Sequence, residues 1–172
     1  RAFEACSVDP ERFVTVGDGE IGVVLSSTHA GSARPRGCDN GKSDARPLET
    51  RTCNASLDLV CESGPCRAEG PDYDARLLTY TLRDDLTHCL GKRPALALAE
   101  IARDYVDMNR DVDDDGGPKC ALADPAARPF WEAYHRAVER LVARAVAQSG
   151  DAALLIDVQT FSSLPKAPPR KR

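Results

Sequence analysis

Two arginines, an asparagine and three aspartates crowd into residues 102–111: Arg103, Asp104, Asp107, Asn109, Arg110 and Asp111. A guanidinium presents a planar fork of N–H donors that matches a carboxylate in a way an ammonium cannot, and an amide beside it adds a further donor. Placed at the exit of a strand, Arg103, Asn109 and Arg110 are therefore candidates to hold the carboxylate of a small ligand. A histidine, His29, stands at the end of another apolar run, followed by Gly31 and Pro35. In open α/β sheets the carboxyl ends of the strands are where loops converge on a crevice, so His29 is a candidate site residue, the bland version being a hydrogen-bonded turn residue. The same chemistry has a bland version, in which the charges pair locally on a solvated loop.

The elements that must position these groups follow from periodicity. The run 21–27, Ile-Gly-Val-Val-Leu-Ser-Ser, comes after the Gly17-Asp18-Gly19 turn and reads as a buried strand ending at His29. Residues 95–99, alternating Ala and Leu after Pro94, read as a second strand, which delivers Arg103 and the Asp107-Met108-Asn109-Arg110 stretch. Between the two strands, Leu78, Leu82, Leu86 and Leu90 recur at helical spacing, and Gly91 ends that helix. Asp124-Pro125 begins a further amphipathic helix with Phe130, Trp131, Tyr134, Val138 and Leu141 on one side, running to about Gly150. His135 lies at its flank. A last strand over 153–158 carries Asp157 and leads to Gln159. Strands alternating with helices predict an α/β fold of three layers, a mixed central sheet with flanking helices.

Composition sets the limits. With 172 residues the chain has length for one domain and a buried core, expected over 1–163, with 164–172 a proline-rich basic tail. The net charge is −4 and acidic residues are interleaved with basic ones, which argues against a nucleic-acid partner. No apolar run approaches the roughly 20 residues of a membrane helix, so no membrane span is expected. Seven cysteines and the sequon Asn54-Ala55-Ser56 suit a secreted or extracellular protein. The segment 37–71 holds four of the cysteines and little periodicity, and is expected to be an insertion loop braced by disulfides. Asp111, Asp113, Asp115 and Gly116 imitate the start of a calcium loop, but its closing glutamate would fall at Leu122. An acidic turn is the expectation there.

Taken together, His29 with Gly31 and Pro35, then Gly91-Lys92-Arg93-Pro94, Arg103, Asp107-Met108-Asn109-Arg110-Asp111, Trp131-Glu132-Ala133-Tyr134-His135 and Leu155-Ile156-Asp157 resemble the N-formylglutamate amidohydrolase family. The resemblance covers about 21–163. It implies a zinc-carboxypeptidase-like fold and metal-dependent amide hydrolysis of small N-acyl amino acids by a zinc-activated water and a glutamate base. Asn109 and Arg110 would hold the substrate carboxylate with help from Arg103, while Asp107, His135 and Asp157 would support the site. His29 matches the family's first zinc ligand. Two positions depart from the pattern. Ala33 stands where the family shows an acidic residue, and Gln159 stands where it has a histidine ligand. No residue is assigned a catalytic role, and the glutamate base would lie beyond the last strand. The alternative is a catalytically degenerate member that keeps the fold and the carboxylate-binding arginines, serving as a small-carboxylate binding module or a secreted domain that contacts a protein partner.

Overall fold

The computed structural model describes residues 8–33, 73–103, 106–110 and 128–160. The insertion loop, the sequon, the acidic turn, the Asp124-Pro125 helix start and the basic tail lie outside the described residues.

A short 3-10 helix, Pro10–Phe13, opens the described chain, with Asp9 capping it by accepting the Glu11 backbone N–H at 3.0 Å. Strand β1 (Val14–Gly17) follows, then β2 (Val23–Ser27), helix α1 (Tyr73–Leu90), β3 (Ala95–Ala99), helix α2 (Arg128–Ser149) and β4 (Leu154–Asp157). The four strands form one mixed sheet in the order β1-β3-β2-β4. Strand β1 runs antiparallel to β3, with Val14 opposite Ala99, whereas β2 is parallel to both β3 and β4. The carboxyl ends of β2, β3 and β4 therefore emerge on one edge of the sheet. The strand expected from residue 21 begins at Val23, and the one expected over 153–158 is Leu154–Asp157.

The centre of the sheet is β3, all of whose residues are buried. Side chains alternate across a strand, so its alanines and leucines serve opposite faces. Ala95, Ala97 and Ala99 share a cluster with Phe130, Tyr134, Leu141 and Ala145 of α2. Small residues on this face leave room for the two aromatic rings. Leu96 and Leu98 join Leu25 on the other face, where Tyr80, Leu82 and Leu86 of α1 cover them. Helices thus flank the sheet on both faces, as the alternation of strand and helix predicts. Burial of the β3 leucines stabilises the fold by on the order of 2 kcal/mol each.

Both helices end on glycines in the left-handed region, Gly91 at φ 64° and Gly150 at φ 83°, where the absence of a Cβ removes the steric penalty. At the finish of β3, Glu100 gathers three elements: it accepts from Thr15 of β1 at 2.5 Å, pairs with Arg76 of α1, and its backbone N–H donates to Phe13 at 2.8 Å. At the other end, Arg83 of α1 donates to the carbonyls of Pro94 and Asp18. Strand β4 forms an edge of the described sheet, with Leu154 and Leu155 largely exposed.

Candidate functional site

The chain leaving β2 keeps company with the chain leaving β3. Ala33 donates to the Glu100 carbonyl and accepts from Ala102, each at 2.8 Å, and Gly31 is bridged to Ala102. The approach is so close that a Cβ on Gly31 would fall 2.0 Å from the Glu100 carbonyl group. That contact gives a physical reason for glycine two residues after His29. It also leaves Ala33 as a pairing residue between two backbones. The result is that His29 is held beside the loop at 106–110.

Asp107 is the hub of that loop. Its Oδ1 accepts from His29 Nε2 at 2.9 Å and from the Asn109 backbone N–H at 3.0 Å; its Oδ2 accepts from Arg103 Nε and Arg110 Nε, both at 3.2 Å. An ionised carboxylate can only accept, so His29 presents a protonated Nε2 to it. Both His29 and Asp107 are buried. Burial pushes the Asp107 carboxyl toward the neutral form, but the His29 hydrogen bond, the Arg103 and His29 charges and the Asn109 N–H together hold it well below the usual carboxylate range. Asp107 is therefore a fixed anion at neutral pH.

Helix α2 fastens the loop from the other side. Trp131 Nε1 donates to the Arg110 carbonyl at 2.9 Å, and His135 Nε2 lies 3.1 Å from the Met108 carbonyl, to which it donates. Trp131 and His135 are four residues apart and so share a helix face. Their rings stack with centroids 3.8 Å apart, and Tyr134 meets His135 edge to face at 5.4 Å.

Between this loop, α2 and the ends of β2 and β4 lies a cleft of about 370 Å³. Asn109 and Arg110 line one side, and Ser26, Thr28 and Asp157 are also among its lining residues, with His135 and Tyr134 on the α2 side. The proposed clamp residues are thus brought together, but in different capacities. Arg103 is 14% exposed and engages Asp107. Arg110 is 37% exposed; it spends Nε on Asp107 and lines the cleft. Asn109 contributes its backbone to Asp107 and lines the cleft as well. Asp157 accepts from Ser26 Oγ at 2.7 Å and from Gln159 Nε2 at 2.6 Å. Gln159 faces Asp157 with its amide nitrogen, a donor with no lone pair to offer a metal.

The donor set can be compared with what a zinc site needs. A catalytic zinc takes about three protein ligands from His, Asp, Glu or Cys and keeps one position open. Among the described residues no three such side chains are grouped to hold a metal ion. His29 directs Nε2 at Asp107, Ala33 has no ligand atom, and Gln159 is committed to Asp157. The described residues do not fit the metal. Cys89, at the end of α1, is exposed with a free thiol. No described helix is long and apolar enough to cross a membrane.

The sequence placed Trp131 and Tyr134 on the apolar side of the helix and gave neither them nor Ser26 and Thr28 a part in the site. Trp131 and His135 could have been paired by their spacing. Ser26 and Thr28 carried no signal beyond lying at the end of an apolar run.

No protein-family model matches the chain, and no curated protein matches it either. Among solved structures it is similar to gene product Atu2144 from Agrobacterium tumefaciens, with a TM-score of 0.55 and 15% identity. The likeness covers 89% of this chain and 58% of that one, so the chain spans little more than half the length of that protein. At this identity the likeness concerns the fold alone. The fold and the cleft define the chain as a mixed α/β protein with flanking helices and a charged crevice at the carboxyl edge of its parallel strands.

Proposed function

We propose that the chain is an N-formylglutamate amidohydrolase-like protein, on a zinc-carboxypeptidase-like fold, that binds a small carboxylate in the cleft beside Arg110. The observation that carries this reading is the way Asp107 holds Arg110. One edge of the guanidinium is fixed by Nε, and no terminal Nη of Arg110 has an ion-pair partner among the described residues. A guanidinium held by one edge has already lost much of its rotamer freedom, so a ligand carboxylate meets it at lower entropic cost. Asn109, next in the chain, lines the same cleft. Arg103 acts on the ligand through Asp107, as a positioning residue, and does not replace Arg110.

This supports the binding-module version of the family resemblance ahead of the hydrolytic one. A specific observation nonetheless favours hydrolysis as a second reading: buried Asp107 orients the His29 imidazole as carboxylates do behind metal-bound histidines. In that reading His29 would be one ligand of a zinc that would supply an activated water, and the further ligands and the base would have to come from outside the described residues. Two measurements separate the readings and test the first. Elemental analysis of purified protein should find zinc well below one per chain, and one tightly held zinc would favour the hydrolase. In calorimetry succinate should bind and succinamide, the same skeleton without carboxylates, should not. Equal affinities would remove the carboxylate from the account.

A further inference from the structure

The wall of the cleft formed by Ser26, Thr28 and Asp157 is not used by a carboxylate clamp. Asp157 is exposed, lines the cleft, and makes no ion pair with any described cation. Ser26 Oγ and Gln159 Nε2 each hold one of its oxygens, so the carboxylate is fixed in place. The loop wall carries the opposite sign: Arg110 lines it, held by Nε on Asp107 with its terminal nitrogens unpaired among the described residues. Two further lining side chains are polar and more than nine-tenths buried. Thr28 is 7% exposed and Tyr134 2%, and neither hydroxyl has a hydrogen-bond partner among the described residues. Ser26 Oγ lies near the Tyr134 phenol, but no hydrogen bond of good geometry joins the two. Burial, and then the Asp157 charge, keep that phenol protonated. A buried hydroxyl without a partner costs about 1–3 kcal/mol, a cost that a polar ligand group or a bridging water reverses.

We propose that Asp157, backed by Thr28 and Tyr134, forms a second subsite that takes the protonated amine of the same ligand, so that the cleft selects a free amino acid over its N-acylated form. The inference rests on the carboxylate reading above and specifies its ligand class. A zwitterion sets its carboxylate against Arg110 and its amine against Asp157. An N-acyl amino acid offers Asp157 a neutral N–H and leaves that carboxylate without a counter-charge. At about 370 Å³ the cleft has room for a small amino acid.

The test is calorimetric titration of L-glutamate and N-formyl-L-glutamate, which differ at the amine alone, into the wild-type chain, Asp157→Asn and Tyr134→Phe. Glutamate should bind wild type at least about tenfold more tightly, the order of gain expected when an amide contact becomes a charge-assisted one. Asp157→Asn, isosteric and at an exposed site, should bring the two affinities within about twofold by weakening glutamate alone. Tyr134→Phe should weaken both ligands and keep their order. Equal or tighter binding of N-formylglutamate by wild type, or a preference unchanged in Asp157→Asn, would overturn the subsite and leave the carboxylate clamp standing. Failure of wild type to bind either ligand or succinate would overturn both.

Discussion

Asp107 does at the scale of one residue what the sequence suggested three residues would do for a ligand. Arg103 and Arg110 turn toward it, at spacings of four and three, because a buried carboxylate must be paired and hydrogen-bonded to remain ionised. Those spacings were visible in the sequence as local charge pairs. That His29 would complete the set was not, since it depends on two strands lying side by side. Asp107→Asn leaves two cations facing a neutral amide and should cost about 3 kcal/mol, at the low end for a broken buried pair because Arg110 is partly exposed. Urea unfolding checks this value. The pH dependence has a definite sign: a carboxyl depressed in the folded state stabilises above its unfolded value, near 4, and that contribution is lost as pH falls below it. Wild type should thus lose stability on the acid side below about pH 4 more steeply than Asp107→Asn. Parallel acid limbs in the two proteins would show that the carboxylate is not held as an anion.

At the scale of elements, the site depends on the close pairing of the chain segments that leave β2 and β3. Gly31→Ala would set a methyl against the Glu100 backbone, which cannot rotate away. It should destabilise by about 3 kcal/mol or more, toward the upper end of overpacking costs. Gly91→Ala is the informative comparison: there the space is open and the cost is that of a left-handed φ, about 1 kcal/mol. Chemical denaturation of both variants gives the two numbers, and a smaller effect at Gly31 would mean the backbones can part. The elements themselves were largely legible. Apolar period identified α1, the described part of α2, β2 and β3, since each has a long or strongly patterned run. Strand β1 was not read, because Val14–Gly17 is short, half-buried and one-sided, a pattern too weak to stand out from a loop. The alternation of Ala and Leu in β3 was readable as a strand. Which face would take the aromatic side chains of α2 was settled by packing.

For the whole molecule, the two faces of one sheet share β3, so both clusters should unfold together. The chain has a single tryptophan, Trp131, bonded to the site loop. Its fluorescence and far-UV circular dichroism should give coincident urea transitions; an earlier fluorescence midpoint would show the site loop opening on its own. Mixed α/β architecture, with parallel strands ending on one edge, could be foreseen from the order of strands and helices. That Arg110 and Asp157 line one cleft could not, because they are far apart in sequence and are brought there only by the sheet. The central claim is that Arg110, braced by Asp107, binds a carboxylate in that crevice. It is tested most directly by titrating succinate into wild type and Arg110→Ala by calorimetry, with circular dichroism establishing that the variant is folded. The account predicts measurable binding by wild type and none by folded Arg110→Ala, and the same affinity in both would contradict it.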